Sequence, residues 1–208
     1  MEYLTDTRSN PFGFKAPCDR FVPGYGDVNA DFHVIGDNPA VHGGLDTGIP
    51  FTGRSWSATF FDALTQGELV TAYDDRKLNC PGTFFSYLCL CDPPTDDGEA
   101  AYEECEPYFD SELRAITAHV LLPVSERPIT HVLETYTSMP TDDPVETLHA
   151  TVRKGSGWLV IPVADPATWS PADATALVET LRELKATDYR QLSDLGRFFP
   201  DENPYFVR

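Results

Sequence analysis

Four short apolar runs, separated by segments of helical period, constrain this chain more than any other feature. They lie at residues 31–35, 84–90, 119–124 and 159–163. The second is continuous and aromatic, as expected of a strand buried on both faces. Between the runs, Trp56, Phe60, Phe61 and Leu64 recur at helical spacing within 55–64. Residues 101–117 and 126–136 also read as helices. Ser170-Pro171-Ala172-Asp173 is a helix start, with a Ser cap, Pro at the first position and an acid in the first turn. That helix is expected to run to about Lys185. Residues 65–82 read as a long polar loop, and the tail aromatics Phe198, Phe199, Tyr205 and Phe206 are expected to pack onto the body. Strand and helix in alternation predict a single three-layer α/β/α domain around a central parallel sheet.

Charge is the second constraint. The 208 residues carry 33 acidic and 15 basic side chains, a net charge of -18. The acidity is spread along the whole chain and coexists with a 41% hydrophobic fraction, which argues against disorder. Two readings of this balance compete: an acidic protein that avoids nucleic acid and membranes, and, the favoured expectation, one adapted to high intracellular salt, where carboxylates hold water and their repulsion is screened. No apolar run is long enough to span a membrane. The amino-terminal residues lack a basic segment followed by an apolar one, so a cytoplasmic protein is expected; a monomer is expected as well. Five cysteines, at 18, 80, 89, 91 and 105, are odd in number and irregular in spacing. A secreted disulfide framework is not expected from them; buried thiols and metal ligands both remain open.

The first run empties into Gly36-Asp37-Asn38-Pro39, then Val41-His42-Gly43-Gly44, then Gly48-Ile49-Pro50-Phe51-Thr52-Gly53-Arg54. Ligands of open α/β sheets bind at the carboxyl ends of strands. Glycines in such a loop let backbone approach a ligand or adopt positive φ. The plainer reading is an ordinary tight crossover, with Asp37-Asn38 before Pro39 forming a cap or Asx turn.

In order and spacing, three blocks resemble the uracil-DNA glycosylase superfamily, most closely its iron–sulfur-containing archaeal and thermophilic branch. The loop from Gly36 to Arg54 is similar to that branch's GEAPG…GxPFxGRAG motif. Cys91-Asp92-Pro93-Pro94 and Cys105-Glu106-Pro107-Tyr108-Phe109 are similar to its KCRPP…CxPYL segment. The run from Leu159 to Pro166 lies where the family has a strand ending in HPS. The resemblance covers roughly residues 18 to 165, and Asn38 matches the catalytic Asn of the mismatch-specific GxNPG motif. The chain departs from the family pattern in three places. Ala164 stands at the HPS histidine, Tyr87 stands where an asparagine reads the uracil edge, and a cysteine expected near Lys15 is absent.

The resemblance implies a glycosylase that extrudes a nucleotide from DNA and hydrolyses its bond to uracil or a related deaminated base. Asp37 would face the sugar cation and the water, Asn38 would hold that water, and Phe51 would stack the base, with Gly36, Pro39 and Tyr87 lining the pocket. His42, neutral or charged, is a candidate donor to the leaving base in place of the lost histidine; a plain surface-loop histidine is the alternative. His119 and His131 read as structural. The resemblance also implies a 4Fe-4S cluster on Cys18, Cys91 and Cys105, with Cys89 or Cys80 as the fourth ligand. Arg153 and Lys154 are the compact basic pair available for a DNA phosphate, or simply solvated. The competing readings are a non-catalytic member that binds nucleic acid or a nucleobase, and an unrelated hydrolase on the same architecture.

Overall fold

The computed structural model describes residues 16–74, 77–92, 98–137 and 143–195. The aromatic tail discussed above lies outside them. A six-stranded sheet runs in the order β1 (Tyr25–Gly26), β5 (Thr83–Tyr87), β2 (Phe32–Gly36), β6 (Val120–Pro123), β8 (Trp158–Val160) and β7 (Arg153–Gly155). The four inner strands are parallel and the two edge strands antiparallel. The antiparallel edge at β7 follows from its connection to β8. That connection is a two-residue turn, with Ser156 and Gly157 both at positive φ, as tight hairpins require.

Strand periodicity sorts the core into two layers. Phe32 and Val34 of β2 face one side, together with Phe85, Leu122 and Leu159. They pack under Phe60, Phe61 and Leu64 of α2 (Ser57–Gln66) and Leu177, Leu181 and Leu184 of α6 (Pro171–Lys185). Ile35 faces the other way with Phe84, Leu121 and Val160. These pack on Phe109, Leu113 and Ile116 of α3 (Gly98–Ile116) and on Ile129 of α4 (Glu126–His131). The α/β/α layering is therefore as expected. So is α6, whose Ser170 and Asp173 form a reciprocal capping box.

Two segments differ from expectation. The helix read over 126–136 is α-helical only through His131, and Val132–Tyr136 continues it as a π turn. The polar stretch 65–82 contains the end of α2 and an antiparallel pair, β3 (Ala72–Asp74) and β4 (Lys77–Asn79). These strands are three residues long and mostly exposed. Their anchors are Leu78, fully buried, and Tyr73, stacked on Phe61 at 4.2 Å. Among the described residues no helix is long and apolar enough to cross a membrane.

The hydrogen-bond ladders continue past the carboxyl ends of the inner strands. Cys89 N–H donates to Asp37 O (3.0 Å), Val124 N–H to Ile35 O (2.8 Å) and Ser125 N–H to Val163 O (2.8 Å). The segments after β2, β5, β6 and β8 are thereby gathered along one edge of the sheet.

A polar group is sealed between the sheet and α3. His33 Nε2 lies 2.7 Å from Ser86 Oγ, and Glu112 bonds Ser86 and the Gly24 backbone. Glu112 keeps part of its residue surface exposed, but its carboxyl end is the buried part, and burial pushes its pKa up to about 8. A carboxyl whose pKa is raised on folding stabilises most when protonated, so this contribution is lost as pH rises from about 4.5 to about 8. Urea midpoints measured across that window should fall with pH more steeply for the wild type than for Glu112→Gln, which cannot ionise.

Candidate active site

β2 ends at Gly36 and the chain turns directly into α1 (Pro39–His42). Asn38 is its extended N-cap, and Asn38 Oδ1 accepts from Val41 N–H at 3.0 Å. Pro39 takes the first position, where a missing N–H does no harm. The cap reading of Asp37-Asn38-Pro39 is therefore realised. Pro39 is buried as part of that turn, and its carbonyl accepts from Gly43 N–H and from Arg54 Nη2. Arg54 Nη2 also donates to Ala40 O, clipping the segment after Phe51 onto α1.

Asp37 stands beside the cap with its side chain 13% exposed. Tyr102, from α3, donates its hydroxyl proton to Asp37 Oδ1 and accepts from Asn38 Nδ2 at 2.7 Å. Arg127, from α4, lies 3.9 Å from the same carboxylate oxygen. Its guanidinium sits 4.2 Å above the Tyr102 ring and pairs with Glu99 at 2.8 Å. Burial raises the Asp37 pKa, while Tyr102, Arg127 and Asn38 pull it back toward the ionised form. The result is a carboxylate that is largely buried, oriented and more basic than usual.

His42 is buried rather than on the surface. Its Nδ1 accepts from Asp37 N–H at 2.8 Å, so a neutral ring carries its proton on Nε2. Burial, with the nearby Arg54 charge, pushes its pKa down to about 3. The imidazole is accordingly neutral near pH 7, which corrects the expectation that left a charged form open. Nε2 has no hydrogen-bond partner among the described residues.

Phe51 and Tyr87 are placed differently from what a base platform requires. Phe51 is fully buried at φ 66°, with the His42 ring stacked on it at 5.2 Å and Phe60 at 5.1 Å. In this structure the ring is part of the core and has no exposed face of the kind an aromatic platform for a base would need. Tyr87 is 2% exposed, accepts from Phe51 N–H (2.8 Å) and donates to Gly43 O (3.0 Å). Gly36 is small because Tyr87 lies against it; a Cβ there would fall 2.6 Å from the Tyr87 ring. Tyr87 thus fills the space in which an asparagine was expected to read a base.

Four of the five cysteines converge. Cys18 comes from the segment before β1, Cys89 and Cys91 follow β5, and Cys105 belongs to α3. The sulfurs of Cys89, Cys91 and Cys105 lie within 4.8 Å of one another. In this structure the four sulfurs stand in two pairs at disulfide distance, Cys18–Cys91 and Cys89–Cys105, with Cα–Cα distances of 6.1 and 5.0 Å, where the sequence left buried thiols and metal ligands open. Four sulfurs from three segments also match the donor set of an iron–sulfur cluster. A cleft lined by Pro17, Ala100, Ala101 and Glu104 opens onto Cys18, Cys91 and Cys105. Cys80 is excluded from that set. It is fully buried in the opposite core layer, and burial, with Asp27 nearby, pushes its thiol up to about 12. Pro93 and Pro94 lie outside the described residues.

At Ala164 a histidine arrives from elsewhere in the chain. His149 Nδ1 accepts from Ala164 N–H (3.0 Å), and its Nε2 lies 2.8 Å from Asp173 O. Arg153 pairs with Asp143 at 2.9 Å and Lys154 is exposed on the edge strand β7. His119 is half-buried, and His131 packs against Phe109 and Tyr136. Tyr102, Arg127 and Glu99 are the site neighbours that sequence reasoning missed. The one available signal was helical spacing, which sets Tyr102 one turn before Cys105.

Residues 23–185 match the family model described as the uracil DNA glycosylase superfamily. The chain is also 27% identical over 176 residues to a Type-5 uracil-DNA glycosylase of Pyrobaculum aerophilum, covering 79% of this chain and 74% of that protein. The hydroxyl of Tyr87 satisfies two buried backbone groups. Tyr87→Phe should therefore lower unfolding stability by about 1–3 kcal/mol, measured by urea denaturation.

Proposed function

Because the chain belongs to the uracil DNA glycosylase superfamily, we propose that it hydrolyses the N-glycosidic bond of a flipped nucleotide in DNA carrying uracil or a related deaminated base. One observation carries this reading: Asp37 and Asn38 stand together at the carboxyl end of β2, joined through one hydroxyl. The bond between the sugar C1′ and the base nitrogen breaks, and its electron pair leaves with the base. The Asp37 carboxylate opposes the positive charge left on the sugar. Water adds to C1′ and gives its proton to Asp37. Asn38 keeps one carbonyl lone pair beyond its cap bond with which to hold that water. The Nε2–H of neutral His42 has no partner among the described residues, but like the Phe51 ring it has no exposed surface, so donation to a departing base requires the loop that carries it to open.

The raised Asp37 pKa has a kinetic consequence. Its carboxylate form, which the reaction needs, is present only above that raised value. The acid limb of the rate profile is therefore shifted upward from that of an ordinary aspartate.

We also infer that Cys18, Cys89, Cys91 and Cys105 hold a 4Fe-4S cluster. Such a cluster would cross-link the segment before β1, the segment after β5 and α3 through iron–thiolate bonds. The purified protein should carry iron and be brown, and Cys91→Ser should lose both. Colourless, iron-free protein with no titratable thiol among these four would instead assign them to disulfides.

A second reading, a member that binds nucleic acid without cleaving it, is favoured by the closed pocket. Tyr87 takes the N–H of Phe51 and His42 takes that of Asp37, so the protein's own side chains use two backbone donors beside Phe51. One assay separates the readings: excision from labelled oligonucleotides carrying uracil, hypoxanthine or a G·T mismatch, at low and at molar KCl, because phosphate contacts weaken with salt. Excision that falls by about 10²–10⁴-fold in Asp37→Asn and Asn38→Ala supports the glycosylase. DNA binding without excision by folded wild-type protein supports the binder.

A further inference from the structure

We propose that Tyr102 is a positioning residue for this reaction, holding Asp37 and Asn38 in register through its hydroxyl. This rests on the glycosylase reading above. A phenol has one proton to give, and here it goes to Asp37 Oδ1. Its lone pair takes a proton of Asn38 Nδ2 at 2.7 Å. With Asn38 Oδ1 already committed to Val41 N–H, both ends of the Asn38 amide are fixed and a flipped orientation is excluded. One hydroxyl therefore sets the rotamers of both side chains assigned to the water and the sugar.

The ring is itself held. Arg127 lies over it at 4.2 Å and is anchored by Glu99 from the first turn of α3, the helix that carries Tyr102. The other side of its environment is the cysteine group, against which Tyr102 packs together with Ala101 and Leu90. Held by a cation above and sulfurs alongside, the ring has little freedom to carry its hydroxyl away from the pair. No reacting atom needs to touch Tyr102 for this role; it acts through Asp37 and Asn38.

Tyr102→Phe removes the hydroxyl and keeps the ring. Single-turnover excision by Tyr102→Phe should slow by about 10- to 100-fold, as small misplacement of reacting groups does. Affinity for an uncleavable 2′-fluoro analogue of the substrate and the urea midpoint should both stay within about 2-fold and within error of wild type, respectively. In an Asp37→Asn background the same substitution should add little, because the partner through which it acts is gone. An active wild type with Tyr102→Phe equally fast overturns the positioning role alone. So do losses that multiply fully in the double variant, or a Tyr102→Phe protein that is unfolded, which would make the hydroxyl a structural requirement. A folded wild type that excises no base overturns the glycosylase reading, and the positioning role falls with it.

Discussion

A carboxylate taken out of water at the end of a strand must find partners, and much of the site follows from that requirement at Asp37. The side chain is 13% exposed, and no single element supplies its environment. Tyr102 comes from α3, Arg127 from α4, and Asn38 and His42 from the turn that follows β2. Satisfying one charge thus docks the helices of one layer onto the edge of the sheet. The same contacts leave the carboxylate balanced between burial, which favours its neutral form, and the Tyr102 and Asn38 hydrogen bonds and the Arg127 charge, which favour its ionised form.

Around this centre the backbone uses its own polar groups economically. The ladders of β2, β5, β6 and β8 run on beyond the strands, so that Asp37, Cys89 and Ser125 are fixed by main-chain bonds before side chains act. Cys89 bonds directly to the Asp37 carbonyl, while Cys105 and Tyr102 share α3. The sulfur group and the carboxylate are therefore parts of one rigid edge. A cross-link at the cysteines, of whichever chemistry, holds α3 at the distance from which Tyr102 reaches Asp37.

The neighbourhood of Phe51 is closed for a physical reason. Tyr87 is larger than an asparagine and fills the space against Gly36 and Phe51, and its hydroxyl pairs with Phe51 N–H and Gly43 O. His42 covers Phe51 from the loop side. The rings around Phe51 are thus already packed and bonded to one another.

Much of the fold was legible in the chain itself. Apolar runs and helical spacing determined the inner strands, α2, α3 and α6, because local periodicity directly reports which face of an element is buried. The same periodicity could not reveal β3 and β4, whose three-residue strands are held by Leu78 and Tyr73 reaching other elements. Of the site, the position of Asp37 and Asn38 beyond β2 was readable from the apolar run before them, and the grouping of Cys18, Cys91 and Cys105 was implied by the family resemblance. What only the tertiary structure decided was partnership. Cys89 joins the sulfurs and Cys80 does not, because the two thiols lie on opposite sides of the sheet. Phe51 is core, His42 is neutral, and Tyr102 with Arg127 completes the carboxylate site. Each of these depends on burial and on contacts between residues far apart in the chain, and neither is encoded in local sequence.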